Sequence, residues 1–149
     1  MAKFVFSMQN ILNMKEKLEE QEKNNYSQAN MRWQEAIATL ESLEQRLAEE
    51  KQKLQEEVSS ALDVRKIRQR EDGVEVIRMY VRQQMLEVKQ REKEVEVARE
   101  RLNEAMKERK TFEKLREKAF EKFRLEENLR EQKEVDELVS YRFGTNRAK

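Results

Sequence analysis

The stretch ANMRWQEAIATLESLEQRLAEEKQKLQEEVSSALDV, residues 29–64, decides the fold. Alternating steps of four and three residues through it select Ala29, Trp33, Ala36, Leu40, Leu43, Leu47, Glu50, Leu54, Glu57, Ala61 and Val64, of which nine of eleven are apolar. Residues at that spacing form one narrow stripe on a helix, and such a stripe is buried only against another helix. After Gly73 the same steps give Val74, Ile77, Val81, Gln84, Val88, Arg91, Val95, Ala98, Leu102, Ala105, Arg109 and Phe112, with nine of twelve apolar. The pattern is that of a coiled coil.

Composition agrees. Of 149 residues, 42% are charged, against about a quarter in an ordinary globular domain, and 37% are hydrophobic. Proline is absent and glycine occurs only at Gly73 and Gly144, so the chain has few means of folding back on itself. With a mean hydropathy of −1.10 a thick core is excluded, which leaves disorder, an isolated charged helix or a coiled coil. The seam selects the last.

Charge and residue type remove several functions. Lys plus Arg number 32 and Asp plus Glu 31; residues 1–72 hold 12 basic and 14 acidic residues and residues 73–149 hold 20 and 17. No field of one sign exists to attract nucleic acid or an anionic membrane. Without cysteine or histidine there is no disulfide, thiol nucleophile, imidazole base or common transition-metal ligand, and no cofactor is expected. No apolar run approaches the roughly 18 residues of a membrane span, and the opening MAKFVFSMQ lacks a secretory apolar stretch, so the expectation is a soluble cytoplasmic chain.

The expected architecture is all-α, a long antiparallel two-helix coiled-coil hairpin forming a single unit over residues 1–149. Ser7 is the expected first N-cap, with Phe6 and Ile11 at the flanking staple positions. Before residue 29 the register reads Phe4, Met8, Ile11, Lys15, Leu18, Glu22, Asn25 and joins the later seam through an extra four-residue step between Ala29 and Trp33, a stutter. Gly73 lies near the midpoint, where apolar periodicity is poorest, and Asp72 with Glu75 matches a capping box. These signs place helix one at about 7–62, the turn at about 63–73 and helix two at about 74–143, ending near Gly144. One interior glycine costs a helix only about 1 kcal/mol, so an uninterrupted helix dimerising in parallel is the alternative.

Candidate sites are surfaces. Carboxylate pairs such as Glu126 with Glu127 and Asp136 with Glu137 lack the shielded pocket that acid–base chemistry needs, so no enzyme is expected. Arg65, Lys66, Arg68 and Arg70 form a basic cluster without interleaved aromatics, read as a solvated turn or an acidic-partner contact. Trp33 falls on the seam, as core packing or partner contact. Met79 and Tyr80 lie just off it, where large side chains suit an interface. From Phe112 to Phe143 the apolar residues Leu115, Phe120, Phe123, Leu125, Leu129, Val135, Leu138, Val139 and Tyr141 exceed what one seam can hide. Part of that excess would meet Phe4, Phe6, Met8, Ile11 and Leu12, and the rest suggests docking into another protein.

Three stretches carry a family resemblance: FVFSMQNILNMKE (4–16), RLNEAMKERKTFEKLREK (101–118) and EQKEVDELVSYRF (131–143). Their order, the chain length and the missing proline resemble the FliJ family, soluble components of the bacterial flagellar type III export apparatus. The resemblance implies a stalk-like hairpin whose terminal end binds the hexameric export ATPase, FliI, and whose rod contacts the export gate protein, FlhA, at the inner membrane. It also implies a role in recycling export chaperones. On this reading Phe4, Phe6, Leu12, Gln132, Asp136, Glu137 and Arg142 are candidates for the ATPase, and Ile77, Tyr80 and Gln84 for the gate. Gly73 with its capping box and the 65–70 basic run are not matched to the family pattern. An injectisome-type secretion stalk, or a coiled-coil spacer with no ATPase partner, are the alternatives.

Overall fold

The computed structural model describes residues 2–60 and 63–147, with the side chains of residues 146 and 147 excepted. Two helices account for nearly all of it: α1, Gln9–Ser60, and α2, Val64–Arg147. They pack against each other as a helical hairpin, and there is no strand among the described residues. Contacts divide the chain into one unit of residues 1–20 with 104–149 and a second of residues 21–103.

In the second unit the seam runs as the spacing predicts. Each seam position from Ala29 to Glu57 and from Val74 to Leu102 is buried or half-buried, and Ile67 and Arg70 continue the α2 stripe backwards. Ala29, Val95 and Ala98 form a buried cluster, with Tyr26 and Trp33 packed on it. Both rings are half-buried there. Trp33 therefore serves the core. The predicted seam position Ala61 lies outside the described residues, and Val64 is exposed as the first residue of α2.

The break between helices differs from the expected one. Residues 64–73, read as turn, are the opening turns of α2, and the change of element falls between Ser60 and Val64, where residues 61 and 62, including the expected end of helix one, lie outside the described residues. Asp63, not Asp72, is the cap: its Oδ1 accepts from the Arg65 N–H at 3.1 Å and its carbonyl from the Ile67 N–H at 3.1 Å. Glu75 pairs with Arg78 at 2.8 Å instead of closing a capping box. Gly73 lies inside the helix without positive φ, because one glycine costs less than the hydrogen bonds a break would forfeit. Gly144 likewise does not end α2, which continues to Arg147.

The first unit corrects the register of the opening segment. The seam on α1 is Leu12, Lys15, Glu19, Glu22, Tyr26, Ala29, an unbroken alternation of three and four, and the stutter is absent. Leu18 is 38% exposed, whereas Glu19 is 6% exposed. Apolarity pointed to the wrong face because charged side chains occupy this part of the seam. The Leu12 N–H donates to the Met8 carbonyl at 3.0 Å, which puts Met8 at the cap position expected for Ser7. Leu12, not Ile11, is the buried residue of the first turn.

Candidate functional surfaces

Side-chain ties cross the helices in the first unit. Arg116 Nε donates to Gln9 Oε1 at 3.0 Å, Lys15 Nζ meets Glu108 at 2.8 Å, and Arg109 Nε donates to Glu19. Arg109 also reaches Glu113 at 2.8 Å. Its guanidinium is held above the ordinary arginine pKa, first by the hydrogen bond to Glu113 and then by that to Glu19. The sign of that shift means the arginine's contribution is complete at neutral pH and is lost only as pH rises through the arginine range.

Phe4 closes this packing. Its ring lies edge-on to Phe120 with centroids 5.2 Å apart and 5.5 Å from Phe123, and the Arg116 guanidinium stands 5.8 Å from its centroid. Phe6 and Leu12 are buried. The three opening-segment residues expected at the ATPase thus pack within the unit, and of them only Phe4 keeps partial exposure.

From Asn128 to Thr145 every residue of α2 is exposed, Gln132, Asp136, Glu137 and Arg142 among them. Leu125, Leu129, Val139 and Phe143 are 49 to 65% exposed. At about 100° per residue they share one face with Gln132 and Asp136, roughly 180° from the face on which Phe123 meets Phe4. Glu137 and Arg142 fall on other faces. This segment does not continue the seam; it presents a second apolar stripe turned away from it.

In the second unit the gate candidates separate. Ile77 is 6% exposed and belongs to the seam, and Gln84 is half-buried with Nε2 donating to the Ala36 carbonyl at 3.0 Å. Tyr80 alone is available, 50% exposed beside Val76 and Met79. It borders an open groove of about 610 Å³ that also takes in Arg32, Glu35, Thr39, Gln83 and Glu87. Of the basic cluster, Arg65, Lys66 and Arg68 are exposed, while Arg70 turns to Glu50 at 3.6 Å and Glu57 at 3.8 Å. The sequence reading missed the Glu19–Arg109 tie; carrying the three-and-four steps back from Ala29 without following apolarity would have found it.

No group of metal-binding side chains occurs among the described residues, and no described helix is long and apolar enough to cross a membrane. The described residues form a coiled-coil hairpin that presents an exposed apolar stripe on α2 and an open groove beside Tyr80. The flagellar FliJ protein family model matches residues 4–148, and the chain belongs to that family. Membership makes it a component of the flagellar export apparatus, within a family of structural, non-catalytic export proteins. No curated protein and no solved structure gives a significant match.

Proposed function

We propose that this chain is the stalk-like coiled coil of the export apparatus, binding the hexameric export ATPase through α2 beyond Phe123 and the export gate through the face around Tyr80. The observation that carries this reading is the exposed stripe of Leu125, Leu129, Val139 and Phe143, which no part of α1 covers and which the intramolecular seam does not use. An apolar helical stripe of this kind suits insertion into a groove or ring. Gln132 and Asp136 share that face and are retained as ATPase contacts; Glu137 and Arg142 flank it. Through these two surfaces the chain helps couple energy to export and recycle export chaperones, held in the cytoplasm against the inner membrane by its partners alone.

The test is ATP hydrolysis by the cognate export ATPase with and without the chain, together with co-sedimentation of the hexamer. Stimulation and co-sedimentation support the reading; neither, under conditions where the hexamer forms, returns the chain to a spacer role. For the gate, Tyr80→Ala is expected to weaken binding of the gate protein while helicity by circular dichroism stays unchanged, whereas a large loss of helicity would place Tyr80 in the seam.

A further inference from the structure

Between the end of α1 and the start of α2 the sequence reads Ala61, Leu62, Asp63, with neither glycine nor proline. Asp63 caps α2, but alanine and leucine are good helix formers, and the one nearby glycine sits within α2 at residue 73. Local sequence therefore does little to prevent one continuous helix pairing in parallel with a second copy. The apolar seam does not decide either, since the same leucines and valines would be buried in both arrangements.

The charged seam positions do differ between them. On α1 they are Lys15, Glu19, Glu22, Glu50 and Glu57, four of five acidic; on α2 Arg70, Arg91 and Arg109 are all basic. In each unit acids of α1 meet an arginine of α2, Glu19 with Arg109 in the first and Glu50 and Glu57 with Arg70 in the second. Glu22 has a shielded carboxylate oxygen without a hydrogen-bond partner. In a parallel pair each of these residues would face its own counterpart, glutamate on glutamate and arginine on arginine, inside the seam where like charges are least screened. We propose that this separation of sign is a pairing code, by which the chain closes α1 onto its own α2 and rejects parallel pairing with a second copy. Charges at seam positions are known to set register and orientation at a cost in stability, and here they supply the instruction the connection lacks.

The experiment uses the full-length chain. Arg70→Glu with Arg109→Glu places like charges across both units and is expected to lower the melting temperature by about 10 °C. Adding Glu19→Arg, Glu50→Arg and Glu57→Arg restores opposite signs and is expected to recover most of that loss. A reversed variant that melts with the natural chain, or a compensated variant no better than the reversed one, overturns the proposal. A second variant erases the code without repulsion: leucine at residues 19, 50, 57, 70 and 109. Copies labelled through Ser7→Cys with either a donor or an acceptor dye are mixed at micromolar concentration. The natural seam should give no energy transfer, and the leucine seam should give transfer and a doubled mass by light scattering. A leucine variant that stays monomeric shows that pairing is set without these charges and sinks the idea.

Discussion

The two units of this hairpin use one helical period with opposite chemistry. In residues 21–103 the seam is mostly apolar, and a buried cluster of Ala29, Val95 and Ala98 packs with Tyr26 and Trp33. In residues 1–20 with 104–149 the seam carries Lys15, Glu19 and Arg109, and α2 is exposed at every residue from 128 to 145. The lesson is that heptad spacing fixes where two helices touch, while the residues at those positions decide whether the contact serves cohesion, selection or a third party.

The comparison breaks most sharply at Val95, which is 3% exposed. Val95→Asp buries a carboxylate with no partner and is expected to cost about 3 kcal/mol or more in urea unfolding followed by circular dichroism. A cost near zero would mean the second unit lacks the cohesive core assigned to it. In the first unit Leu12, also 3% exposed, is the deepest apolar residue. Leu12→Ala should cost about 2 to 3 kcal/mol, toward the low end for buried leucine because a thin two-helix layer can relax.

Gly73→Ala is expected to act in the other direction. A Cβ there meets nothing within 4 Å and the backbone is already helical, so the variant should gain about 0.5 to 1 kcal/mol. A glycine at the tip of a turn would instead lose stability, which makes this small change a clean test of where the chain reverses. The smallest effect belongs to the uncovered stripe: Leu129→Lys, at a residue 65% exposed, should leave the unfolding curve within about 0.5 kcal/mol while reducing stimulation of the export ATPase. A stability loss of several kcal/mol there would show that the stripe is covered within the chain.

What the sequence made legible follows from the same contrast. From Ala29 to Glu57 and from Val74 to Phe112 the spacing alone selects buried or half-buried positions throughout, because apolar side chains mark the seam against a charged background. Between Phe4 and Asn25 the same method chose Leu18 over Glu19, since a charge sealed by a partner 90 residues away is indistinguishable from a solvated one until the helices are brought together. The turn was misplaced for a related reason. Gly73 advertises a break, but the break is made at Asp63 by a side-chain cap, which has a weaker sequence signal than a missing side chain. Of the gate candidates, Ile77 and Gln84 stand on seam positions, and the spacing alone already turns them inward.

Trp33 is the chain's single tryptophan, and it packs on the Ala29, Val95 and Ala98 cluster with its indole N–H shielded from solvent and unpaired. Every other indole signal is therefore absent, and tryptophan emission, excited selectively over the three tyrosines, reads one layer of one unit. Separation of the helices at that layer would hydrate the ring and shift its emission to longer wavelength, whatever happens to the phenylalanines around Phe4. The molecule thus carries its own optical gauge of closure, usable without a label while partners bind elsewhere.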